Sequence, residues 1–221
     1  MRVGIFMSAK EKLQEAEFFL EKLRRSSQSL PQDLQIQRKS HYYLSAFLSA
    51  AVSVIDCLLE DYNVKFSLHI PLTERLDPNI FQKKAKRTGN QAALQFLQWW
   101  GKEKKTLEND PIGKLLIGRR HLGIHRVQTK PNLAKIKIGD GNVPMSGSLG
   151  VKHFCEGKLV ETRKSPEQPS PRPKAVETTF DWFFSDYPDE AVITVCDKFL
   201  DKLTSLVSEA EQKFPCNETG S

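Results

Sequence analysis

The segment Gly118-Arg119-Arg120-His121-Leu122-Gly123-Ile124-His125-Arg126 gathers three guanidinium groups and two imidazoles. An imidazole gives or takes a proton near neutral pH. A guanidinium holds a phosphate through two parallel donors and stabilises charge that builds in a transition state. These are the groups that phosphodiester cleavage needs. An RNA 2′-hydroxyl is a ready internal nucleophile, so the chemistry requires no metal in principle. On a helix, His121 and His125 are four apart and share a face. Arg120 stands five before His125, so the two converge only if the helix loosens or a second copy of the chain completes the site. Gly123 favours loosening.

The same residues have plainer uses. Cations at a helix C-terminus complement the helix dipole, each worth about 0.3–1 kcal/mol. Two histidines at helical spacing also suit zinc. No third ligand stands out, however, and the flanking arginines repel a cation. Neither a metal nor a cofactor is expected.

Several elements must position this segment. Ser8 followed by Glu11 is a capping box, and Leu13, Ala16, Phe19, Leu20 and Leu23 recur with helical period, which predicts a helix over residues 8–27. A second helix is expected from Leu34 to Asp61. Its centre, from Tyr42 to Ile55, is apolar nearly all round and belongs in the middle of a bundle. Its small residues Ser45, Ala46, Ser49, Ala50 and Ser53 allow close approach, within the chain or between two copies. The stretch from Asn63 to Asn90, broken by Pro71 and Pro78, yields no element. A third helix is expected from Gln91 to Lys104. Asn109-Asp110-Pro111 then opens a fourth, with Asp110 as cap and Pro111 as first residue, ending near His125. After Pro131 the pattern turns to short strands: Leu133 to Ile138, a hairpin of Val151–Phe154 with Lys158–Thr162 about Glu156-Gly157, and Ala175 to Phe184. Residues 165–173 (SPEQPSPRP) form a proline-rich loop. A last helix is expected from Pro188 to Phe214, opened by residues 186–189, with Val192, Val195, Phe199, Leu203, Leu206 and Ala210 as its buried stripe.

Composition sets wider bounds. A chain of 221 residues suits one domain with an elaboration: core helices over 1–128, a β-rich insertion over 130–184 and a C-terminal helix over 186–215. The net charge of +6 permits a nucleic-acid partner without requiring one. Basic residues cluster at Lys83, Lys84, Lys86 and Arg87, at Lys102, Lys104 and Lys105, and at Arg119, Arg120 and Arg126. The cysteines Cys57, Cys155, Cys196 and Cys216 have no CxxC spacing, and Cys57 and Cys196 read as small core residues. The apolar N-terminal stretch is too short for a signal peptide, and the nearly uncharged run from Tyr42 to Ile55 is too short to span a bilayer. A cytoplasmic protein off the membrane is expected. The absence of GxGxxG, Walker, GxSxG and HExxH patterns argues against nucleotide-dependent, α/β-hydrolase and zincin chemistry.

The order of these features resembles a known family. A helix of the form Tyr42-Tyr43-Leu44-Ser45-Ala46-Phe47-Leu48-Ser49-Ala50-Ala51 precedes a Trp-containing helix. Asn109-Asp110-Pro111 follows, and then a helix ending in Arg-x4-His, from Arg120 to His125. This resembles the HEPN superfamily of helical-bundle proteins found in prokaryotic conflict systems, over about residues 8–128. The resemblance implies a mainly α fold: an up-down bundle of four to five helices, with the small β insertion before a C-terminal helix that returns to the bundle. It also implies a metal-independent endoribonuclease with its site at a homodimer interface. By carry-over, Arg120 and His125 form the main pair. A polar residue, often Asn, follows the arginine in the family; His121 stands there and serves as the accessory group. Arg119, Arg126, Lys102, Lys104 and Lys105 would then steer RNA. Many HEPN proteins are noncatalytic, so the resemblance equally admits an RNA- or protein-binding module of a defence or toxin–antitoxin system, with an antitoxin as partner.

Overall fold

A computed structural model describes residues 7–27, 34–71, 76–125, 133–138, 153–155, 158–160, 178–184 and 187–215. The chain divides into two compact units, residues 1–135 with 180–221 and residues 136–179. Among the described residues there are six helices: α1 (Ala9–Ser27), α2 (Leu34–Lys65), α3 (Pro78–Arg87), α4 (Gln91–Asn109), α5 (Pro111–His125) and α6 (Val192–Lys213). The strands are β1 (Leu133–Ile138), β2 (His153–Cys155), β3 (Lys158–Val160), β4 (Thr178–Phe184) and β5 (Tyr187–Ala191). β1, β4 and β5 form one sheet in the order β1-β4-β5. β2 and β3 pair antiparallel, with Phe154 opposite Leu159. The protein is thus mainly helical, a helical bundle with short strands between α5 and α6.

The capping box forms as the sequence predicts. The Ser8 N–H donates to Glu11 Oε2 at 2.7 Å, and the Glu11 N–H donates to Ser8 Oγ at 3.2 Å. The Ala9 N–H reaches Asp61 Oδ2 at 2.8 Å, tying the start of α1 to the far end of α2. α2 packs against α1, α4, α5 and α6, burying Leu44, Phe47, Leu48, Ala51, Val54 and Leu58 among others. It is not apolar on every side, however. Tyr42, Ser45 and Ser49 are exposed, and Ala46 and Ser53 are half-buried. The stretch Arg38–Lys65 exceeds the uncharged run and is, by length and composition alone, long enough to cross a membrane; 61% of its apolar window is buried inside the bundle, as in a core helix.

Beyond α2 the chain turns on a buried amide. Asn63 Nδ2 donates to the Ile70 carbonyl at 2.9 Å, and the Ile70 N–H donates to Asn63 Oδ1 at 3.2 Å. Ser67 and His69 take positive φ within this turn. The opposite flank is aromatic. Tyr62 stacks on Phe96 with centroids 4.0 Å apart, and Phe66, Phe81, Trp99 and Phe214 surround Phe96. Trp100 Nε1 donates to the Ile55 carbonyl at 3.0 Å, locking α4 to α2.

Two expectations change. The stretch that yielded no element contains α3, capped by Asp77, whose carboxylate accepts from the Asn79 N–H at 2.7 Å, with Pro78 as first residue. Phe81 and Ala85 supply its buried face. At the other end, Pro188 and Asp189 do not open α6. They lie in β5, which pairs antiparallel with β4, Phe184 opposite Tyr187 and Phe183 opposite Ala191. Phe183 and Phe184 are buried. Pairing along β4 therefore overrides the local Pro-Asp helix signal, and α6 begins after Ala191 without a side-chain cap. α2 and α4 also run further than expected, to Lys65 and Asn109. The Glu156-Gly157 turn and the proline-rich loop lie outside the described residues.

Candidate functional site at the end of α5

Helix α5 leaves α4 through a tight corner at Asp110. The Asp110 carboxylate accepts from the Ile112 and Gly113 N–H groups, each at 3.1 Å, capping the helix as its sequence predicts. Lys202 of α6 donates to its other oxygen at 3.0 Å. Partial burial raises the Asp110 pKa, but the Lys202 ammonium and the two N–H donors outweigh it and hold the carboxyl below its ordinary range. A Cβ on Gly113 would stand 1.9 Å from the Leu107 carbonyl oxygen, so α4 and α5 meet there with room only for hydrogen.

From this corner α5 runs as α-helix through His125, with no break at Gly123. The loosening that would bring Arg120 and His125 together within one helix is therefore not seen. Arg119 and Arg120 are both half-buried, on different supports. The Arg119 guanidinium lies over the ring of the fully buried Phe184, 4.2 Å from its centroid. Such a stack combines cation–π attraction with shielding from water. Arg120 points to α2. Its Nη2 lies 3.5 Å from Ser53 Oγ, the long limit of a hydrogen bond. Ser53 gives its own proton to the Ser49 carbonyl at 2.7 Å, so its lone pairs are left to face the guanidinium. Arg120 Nε is shielded from solvent with no hydrogen-bond partner among the described residues.

The arrangement joins α5 to the small-residue face of α2 through the half-buried Ser53. Neither Ser53 nor Phe184 is expected from sequence as a support for the arginines. Ser53 carries no signal beyond its place in the small-residue pattern, and Phe184 none beyond its strand. The side chains of His121 and His125, and all of Arg126, lie outside the described residues.

The three lysines expected to act together separate. Lys104 Nζ lies over the Trp100 ring, 5.0 Å from its centroid. Lys102 and Lys105 instead line a groove between α3 and α4. Cys196 is fully buried and Cys57 half-buried. Burial, with Glu60 and Asp61 nearby, pushes the Cys57 thiol up to about 11, and burial raises Cys196 further, so both are poor nucleophiles at neutral pH. Among the described residues no three His, Cys, Asp or Glu side chains gather as a metal site would require. Compared with known proteins, the chain matches no family model, no curated protein and no solved structure.

Proposed function

We propose that this protein is a HEPN-type endoribonuclease that acts on RNA in the cytoplasm as a homodimer, without a metal. The observation that carries the reading is the seating of Arg120. Its guanidinium rests on Ser53 of α2, with Nε unpaired among the described residues, five residues before His125 on an unbroken helix. Five residues along an α-helix separate the two by about 140° around the axis and about 7.5 Å along it. One helix alone therefore does not close a phosphate between them, whereas a second copy packed on the exposed Ser45 and Ser49, beside the half-buried Ser53, supplies the missing group. In this reaction His125 takes the proton from the 2′-hydroxyl, the 2′-oxygen attacks phosphorus to form a 2′,3′-cyclic phosphate, and the P–O5′ bond breaks as the leaving 5′-oxygen takes a proton from water. Arg120 steadies the phosphate oxygens, and His121 positions the reacting groups.

A second reading has its own support. Arg119 stacks on Phe184 and Arg120 bonds to Ser53, so both arginines already serve packing. That favours a noncatalytic module that binds RNA or a partner protein such as an antitoxin.

Incubation of a mixed-sequence RNA with the purified protein in excess EDTA separates the two. The enzyme reading expects cutting by the wild type and a loss of about a hundredfold or more in His125→Ala, the usual contribution of a general acid or base. Arg120→Lys, which keeps the charge but loses the forked donor, should also lose activity. A folded dimer that cuts nothing supports the module instead. A protein that sediments only as a monomer at micromolar concentration argues against the composite site.

A further inference from the structure

The groove between α3 and α4 has a volume of about 680 Å³. Its polar lining is Gln82 and Lys86 from α3, and Gln91, Gln98, Lys102 and Lys105 from α4. No acidic residue lines it. Lys86, Lys102 and Lys105 make no ion pair among the described residues, and Lys102 interacts electrostatically with Glu209 of α6. On α3 the neighbours Lys83, Lys84 and Arg87 add further positive charge, with no acid inside the helix. The cleft beside α6 that holds Lys202 differs, since Glu103, Asp110, Asp201 and Glu209 also line it.

The floor is informative too. Leu94 and Leu97 are half-buried along it. Gly101 sits in the interior of α4, where glycine costs roughly 1 kcal/mol against alanine, yet a Cβ there would meet nothing within 4 Å. Packing does not demand this glycine. Gly101 itself lines the groove, so a larger side chain there would extend into its space.

We infer that the α3–α4 groove binds single-stranded nucleic acid, with Lys86, Lys102 and Lys105 on successive phosphates, the three glutamines on sugar or base edges, and Leu94 and Leu97 beneath the bases. The lysines fit any polyanion, but the other features narrow the choice. An anionic bilayer is flat and does not enter a concave groove. Amide side chains both donate and accept, which suits bases and riboses; a lipid headgroup or an acidic peptide would need donors only. A cationic groove that tracks the backbone is one half of the usual single-strand site; the other half, stacking on aromatic rings, is replaced here by apolar contact with Leu94 and Leu97. Given a protein acting on RNA, the groove is where the strand is held; binding itself does not depend on cleavage at Arg120 and His125.

The test is fluorescence anisotropy with labelled single-stranded RNA and single-stranded DNA of the same mixed sequence, at several salt concentrations, with the protein in EDTA. The triple variant Lys86→Gln, Lys102→Gln, Lys105→Gln should weaken binding at least tenfold. It should also flatten the salt dependence by about two units of slope, at about 0.7 per phosphate on a single strand. The charge-matched control Lys10→Gln, Lys12→Gln, Lys198→Gln should change affinity less than twofold. Gly101→Leu should raise Tm while weakening binding, an opposition that a merely structural glycine would not produce. Equal loss in the triple variant and its control, or unchanged binding in Gly101→Leu, overturns the inference. So does a wild type that ignores both strands yet binds vesicles containing anionic lipid. RNA and DNA binding equally well leaves the phosphate track in place and removes any role for the 2′-hydroxyl. Groove-dependent binding without cleavage keeps this inference and discards the nuclease.

Discussion

The α1 and α6 helices and the α3 and α4 helices carry similar cations but treat them differently. On α1 and α6 they face acids: Lys10 with Glu211, Lys12 with Glu15, Arg24 with Asp197, Arg25 with Glu21, Lys198 with Glu190, Lys202 with Asp110 and Lys213 with Glu209. Lys22 covers the Phe18 ring instead. On α3 and α4, Lys83, Lys84, Lys86, Arg87, Lys102 and Lys105 make no ion pair among the described residues. Exposed ion pairs are worth about 0–1 kcal/mol each, and clustered like charges cost similar amounts. The difference thus says little about what holds the fold together. It says where positive charge is left over, and therefore where an external anion finds it.

If surface charge is laid over a frame built by packing, the largest stability effects must lie away from every cation. The α4–α5 corner offers the sharpest break. Gly113→Ala puts a methyl against the Leu107 carbonyl and should cost about 3 kcal/mol, the upper part of the overpacking range, because backbone rather than a flexible side chain must move. In a chain of this size that lowers Tm by about 6–12 °C. Gly118→Ala, three residues before His121, has nothing within 4 Å and should instead stabilise by about 0.5–1 kcal/mol. Thermal unfolding of the two variants checks both signs. A Gly113→Ala protein as stable as the wild type would sink the idea that this corner sets the direction of α5.

That corner was half legible in the sequence. Asp110 and Pro111 announce the start of α5, because an N-cap and a first-position proline act locally. Asp77-Pro78 is the same signal and starts α3 in the same way, but two prolines nearby and a short amphipathic run hid it. The start of α6 failed for the opposite reason. Pro188-Asp189 looks like a helix start, and only the pairing of Tyr187 with Phe184, a contact between elements, makes it strand. The candidate site divides likewise. Arg120 and His125 are visible as a spacing on one helix. The support from Ser53 and the stack on Phe184 depend on which elements meet, and no local pattern encodes that. The groove was hidden for both reasons: its α3 wall was not recognised, and the lysine run Lys102, Lys104 and Lys105 does not reveal that Lys104 turns to Trp100.

Asp110 should give the next largest effect, since it is both cap and ion-pair partner. Asp110→Ala should cost about 1 kcal/mol, mostly through the lost cap. Its pH dependence has a definite sign. The folded carboxyl lies below its ordinary value of 3.8, so the stabilisation is fully present above that value and fades as pH falls through the lower folded pKa. Wild type and Asp110→Ala should therefore converge in stability below about pH 4 and differ most near neutrality. A gap that persists unchanged at pH 2.5 would mean that the carboxylate charge contributes nothing at this corner.

The smallest effects test the comparison itself. Neutralising a paired lysine removes an attraction, and neutralising an unpaired one removes a repulsion, so the two should differ in sign though both are small. Lys10→Gln, opposite Glu211, should destabilise by less than about 0.5 kcal/mol. Lys83→Gln or Lys83→Met, outside the last turn of α3 and three and four residues before Lys86 and Arg87, should leave stability unchanged or raise it by a few tenths, on the order of a like-charge pair in a helix. Added salt should shrink both differences, since screening weakens attraction and repulsion alike. Chemical denaturation in urea, which adds no ions, can resolve the signs at low salt. If the α3 variants proved the more destabilised, those lysines would have structural partners after all, and the positive charge along the groove would no longer be free to meet a phosphate.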